Sequence, residues 1–144
     1  MNSDELKLIA HAAARYVERG WNHRYPAMDR HGEEVHPANP NAWSWSMLGA
    51  VTAAATDHFG DDTDAIELAE NRIGRALSVV CSRRCGTERH PFWTASHYED
   101  QGGIFPADCE QLLHEAAEFA DRVEQIGPGP YPFKWWERIA GGPE

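Results

Sequence analysis

Four residues between positions 81 and 97 carry side chains that can hold a metal ion. Cys81, Cys85, His90 and His97 follow one another as Cys-x3-Cys-x4-His-x6-His, two thiols and two imidazoles of the kind zinc accepts in a tetrahedral site. Their spacing argues for a plainer role. Cys81 and Cys85 stand four residues apart, as on one face of a helix, whereas structural zinc sites favour a Cys-x2-Cys turn. On the same stretch His97, Glu99 and Asp100 would supply acid-base groups for a small hydrolytic enzyme, although nothing in the sequence fixes their mutual geometry. His23, His31 and His36 lie among charged residues at spacings that match no tight ligand pair, and read as solvated loop histidines. Asp61, Asp62 and Asp64 suggest a calcium loop, but the glycine and the bidentate glutamate that such a loop needs are absent. They read better as helix N-cap acids, with Asp64 and Glu67 at capping-box spacing. Ser44-Trp45-Ser46 lacks the glycines of a nucleophile elbow.

What remains is recognition chemistry. Near the C-terminus Phe133, Trp135, Trp136 and Arg138 follow a Gly-Pro-Gly-Pro-Tyr-Pro run, and aromatic residues with arginine are what binding hot spots are made of. The segment either docks back on its own domain or meets a protein partner. The favoured reading is therefore a non-catalytic, acidic protein-interaction protein with no cofactor. A zinc-binding helical domain is the first alternative and a small hydrolase the second.

Composition narrows the classes further. The 144 residues hold 13 Lys and Arg against 23 Asp and Glu, a formal charge of −10 that argues against direct binding of nucleic-acid phosphates. A basic partner surface fits better, and self-association through Trp135 and Trp136 is the simpler variant. With 42% hydrophobic residues and no apolar run near the roughly 18 residues of a membrane span, the chain reads as a folded protein outside the membrane. Three cysteines (Cys81, Cys85 and Cys109) match no disulfide framework, so reduced thiols in a cytoplasmic setting are expected. The start, MNSDELKL, has no secretory pattern. One helical domain over residues 1–127 is expected, followed by a linker and aromatic segment over 128–144.

The elements that position these residues are mainly α-helical. Leu6, Ile9, Ala13, Tyr16 and Val17 make an apolar stripe at helical spacing over 4–19, with Ser3 as N-cap and Gly20 as stop. His11 on that helix reads as a flanking or satisfied histidine. Residues 25–35 suit a small β-hairpin around the turn Asp29 to Gly32. A second helix is predicted over 40–59, with Asn39 as N-cap, Pro40 at the first helical position, and Trp45 and Gly49 one turn apart against a neighbouring helix. Two more follow, over 63–84 and 106–125, separated by an irregular loop at 87–105. The expected fold is a compact bundle of about four helices with one small hairpin and a Pro/Gly-rich tail.

Several of these pieces together resemble a family of small actinobacterial and phage proteins known only as a domain of unknown function. The likeness rests on Gly20 and Trp21; on Tyr25, Asp29, Gly32 and Val35; on Ala42, Trp45, Gly49 and Ala50; and on Trp93, and covers roughly residues 4–123. This chain has Ser46 where the family usually has Cys, and Thr94-Ala95 where it has Asn-Asp. The resemblance implies the same order of elements and a phage or mobile-element origin. It implies no activity.

Overall fold

The computed structural model describes residues 2–85, 104–118 and 120. Asn2 rather than Ser3 caps the first helix, its Oδ1 accepting the Glu5 amide at 2.8 Å. That helix, α1 (Ser3–Arg19), buries Leu6, Ile9, Ala13 and Val17, the stripe its periodicity predicts. It ends at Gly20, whose φ of −176° is ordinary extended backbone. Glycine is needed there because a Cβ would collide with the carbonyl of Trp43, in the strand at 42–45.

The turn chemistry at 29–33 forms as expected. Gly32 takes φ +81°, its amide donates to Asp29 O, and Asp29 Oδ1 accepts from the amides of His31 and Glu33 at 2.8 and 3.0 Å. Residues 27–29 form β1 (Ala27–Asp29), which touches the 33–35 segment through single bonds such as Val35 N–H to Ala27 O at 3.1 Å. Its ladder partner is β2 (Ala42–Trp45), antiparallel to it. On its other edge β2 receives the chain leaving α1, with Trp45 N–H donating to Gly20 O at 3.0 Å and Asn22 N–H to Trp45 O at 3.2 Å. The small sheet is thus extended by one irregular segment on each side.

Residues 42–45 are strand where a helix start was predicted. Asn39 does not cap a helix; its Oδ1 accepts from Asn41 N–H at 2.8 Å in an Asx turn. The backbone of 42–45 is committed to two neighbours at once, so tertiary pairing outweighs the local Asn-Pro signal. The cap is Ser46, whose Oγ accepts from Gly49 N–H at 3.0 Å and opens α2 (Met47–Phe59).

Gly49 is buried and closely approached, but by the Pro26 peptide and not by another helix. A Cβ at Gly49 would lie 2.9 Å from Pro26 Cα and nearer still to its carbonyl.

Asp62, not Asp64, caps α3 (Thr63–Cys85), accepting from Ala65 N–H at 3.2 Å. Ala69, Ile73, Ala76, Leu77 and Val80 form its buried stripe. The last described helix, α4 (Pro106–Ala117), begins with the predicted proline and with Asp108 reaching back to Phe105 N–H at 2.9 Å. It stops at Ala117 with Glu118 as its C-cap and residue 120 in a turn, so the helix predicted to run unbroken to 125 ends early; 119 and 121–125 lie outside the described residues. Among the described residues the four helices pack in a ring, α1 on α2 and α4, and α3 on the same two. Their shared core holds Leu6, Ile9, Met47, Ile73, Leu77 and Leu112, each at most 1% exposed and each contributing about 1.5–3 kcal/mol by burial. The sheet closes one flank.

Candidate functional site

The register of the small sheet has one irregularity, and it falls at Trp43. Ala27 pairs with Trp45 and Met28 with Ser44, but Asp29 pairs with Ala42, so the ladder skips Trp43. Such a bulge re-aims the side chain of the extra residue. Trp43 and Trp45 would share a face of a regular strand; here they are 62% and 3% exposed.

Trp45 lies in the core. Its indole N–H donates to Pro37 O at 3.0 Å, Tyr16 meets it edge-on at 4.9 Å, and the Arg19 guanidinium sits over both rings at 5.3 and 5.4 Å. Tyr16 in turn donates its hydroxyl to Asp57 Oδ2; burial first, and that carboxylate second, push its pKa up to about 12. Beneath the strand Asn22 Nδ2 donates to Ser44 Oγ at 2.9 Å while its Oδ1 accepts from Arg24 and Tyr25 amides. These contacts fix β2 and therefore fix what it presents.

Trp43 is what it presents. The Asp29 turn holds Arg30 so that its guanidinium lies 5.5 Å from the Trp43 ring centre. The Asn39 turn places Pro40 and Asn41 opposite. Between the two turns a cleft of about 420 Å³ is lined by Arg30, His31, Asn41 and Trp43 among others. An indole face, a guanidinium, an imidazole and an amide on two braced turns form a recognition surface.

Other sequence candidates fall elsewhere. His31 belongs to this surface; His23 stacks beside Trp21 at 5.6 Å between ring centres, and His36 Nδ1 accepts from Ala38 N–H at 3.0 Å. All three are exposed. His11 is satisfied by a neighbour the sequence does not reveal: its Nδ1 lies 2.6 Å from Nδ1 of His114 on α4. One proton serves that contact, and burial together with the facing His114 lowers the His11 pKa.

Cys81 is fully buried in the core with Val79 and Val80 beside it, and Cys109 is buried in α4. The side chain of Cys85, and all of His90 and His97, lie outside the described residues, as do Glu99, Asp100, Trp93, Thr94 and Ala95. So do Phe133, Trp135, Trp136 and Arg138, and the 128–144 segment as a whole. Among the described residues no group of three or more His, Cys, Asp or Glu is placed to hold a metal ion.

The model of a family of unknown function, DUF6197, matches residues 1–119. The chain belongs to that family. The DUF6197 match spans α1 to α4 and the Trp43 surface, and ends before the aromatic segment at 133–138. Neither a curated protein nor a solved structure matches the chain. No helix among the described residues of this DUF6197 member is long and apolar enough to cross a membrane.

Arg30 and Trp43 were not singled out by their sequence context. No local signal marks them: tryptophans two residues apart share a face of a regular strand, and only the bulge, which depends on the pairing with β1, sends Trp43 outward.

Proposed function

We propose that this chain is a non-catalytic protein-binding module whose described contact surface is centred on Trp43. One observation carries the reading: a bulge turns a tryptophan 62% into solvent, on a strand held from both edges. A side chain ordered before binding loses little further freedom on association, which favours affinity. The acidic balance of the chain as a whole suits a partner with a basic face, while at the Trp43 surface itself Arg30 and the indole favour an aromatic side chain of that partner. The aromatic segment Phe133, Trp135, Trp136 and Arg138 is proposed as a second contact, and a cytoplasmic, phage or mobile-element setting is part of the same reading.

The test is capture of a partner on immobilised full-length protein, followed by binding of the purified partner to three forms: wild type, Trp43→Ala, and a truncation lacking 128–144. Trp43→Ala is expected to weaken binding by about tenfold or more, the size of a hot-spot loss, with unchanged melting temperature. Equal binding by Trp43→Ala and wild type would remove this surface from the function. The truncation measures separately what the tail adds.

A further inference from the structure

On another part of the surface, α2 and α3 leave an open groove of about 430 Å³, within the roughly 300–1,000 Å³ of ordinary ligand pockets. The two helices run antiparallel here, with Leu48 near Gly74 and Thr52 near Glu70. Pro26, Leu48 and Val51 give the groove apolar surface, and Glu67, Glu70 and Asn71 line it from α3. Thr52 Oγ1 donates to Glu70 Oε2 at 2.6 Å, which fixes that carboxylate beside the apolar wall. Among the described residues neither Glu67 nor Glu70 forms an ion pair with lysine or arginine. Two carboxylates three residues apart on one helix repel each other, and a cationic donor between them offsets that cost.

We infer that this groove binds a small organic ammonium ion, its apolar body on Pro26 and Leu48 and its N–H groups on Glu67 and Glu70. Charge-assisted hydrogen bonds of about 2.7–2.9 Å to the carboxylates would supply orientation. The Asn71 amide provides a further polar contact. A neutral ligand of the same shape would leave the carboxylates uncompensated, and an anion would be repelled.

The proposal is tested by titrating the ¹⁵N-labelled full chain with benzylammonium chloride, benzyl alcohol and sodium benzoate at one ionic strength. Benzylammonium is expected to shift the amides of Gly49, Thr52 and Gly74 saturably, with benzyl alcohol roughly tenfold weaker, the loss of a charge-assisted contact, and benzoate without effect. Glu70→Gln, which keeps an acceptor for Thr52, should weaken benzylammonium about fivefold or more on the same scale. Glu67→Gln, at an exposed position, is the second variant and should act in the same direction if Glu70→Gln lowers the melting temperature. Equal affinity for benzylammonium and benzyl alcohol, shifts that do not saturate, or undiminished binding by both variants would overturn it.

Discussion

Trp43 and Trp45 stand two residues apart on one short strand and have opposite fates. Trp45 gives its indole N–H to Pro37 O and its faces to Tyr16 and Arg19, and is almost wholly removed from water. Trp43 has Arg30 at its face and solvent over most of its surface. Identical side chains are separated by one skipped ladder position, so the division between a residue that holds the fold and one that the fold displays rests on a bulge. Stability and contact can therefore be changed independently in this region, and that is the comparison to break.

The largest effect belongs to Trp45→Ala. Emptying that site should cost about 3–5 kcal/mol, a large part of a typical domain's stability of roughly 5–15 kcal/mol, read by chemical denaturation with unchanged m-value.

Gly49→Ala comes next. Alanine is the better helix former, yet its Cβ would meet the Pro26 backbone, which cannot swing away as a side chain can. A loss of about 1–3 kcal/mol is expected; a gain would mean that Pro26 is free to move.

Alkaline titration sharpens the buried side of the comparison. Tyr16 holds its proton to about pH 12 when folded, whereas an unfolded tyrosine loses it near the reference value of about 10. The folded pKa is raised, so this contribution is fully present below about pH 10 and is lost as pH rises towards about 12. Tyr16→Phe should flatten the fall in melting temperature across that window.

Gly74→Ala is a smaller effect of opposite sign to Gly49→Ala. Its Cβ would stand 3.5 Å from Leu48 Cδ2, an ordinary contact, so helix propensity prevails and stability rises by up to about 1 kcal/mol. Smallest of all on stability is Trp43→Ala, within about 0.5 kcal/mol, although it is the variant expected to lose the partner.

The helices were legible because their evidence is local and repeated. In α1 and α3 the periodic positions Leu6, Ile9, Val17, Ile73 and Leu77 all reach the core, and Pro106 opens α4 as its fixed φ suggests. The start of α2 was not legible in the same way. Asn39-Pro40 is a sound local cap signal, while the pairing that makes 42–45 a strand involves Gly20, Asn22 and residues 27–29, all distant in sequence. The same distance hides the recognition surface. A register slip has no signature in composition, and Arg30 meets Trp43 only once both turns are folded. Gly49 was read correctly as a point of close approach, but the approaching group, the backbone of a loop proline, leaves no hydrophobic pattern to find. The cap of α3 shows a finer version: several aspartates precede it, and only geometry selects Asp62.

Exchange of the tryptophan indole protons with deuterium, followed by NMR with Trp43→Phe and Trp45→Phe used for assignment, tests the central claim most directly. The Trp45 indole proton, bonded to Pro37 O, should persist until the domain opens, while that of Trp43 should vanish at the rate of a free indole. Two indole protons exchanging at the same rate, fast or slow, would contradict the division of roles between them.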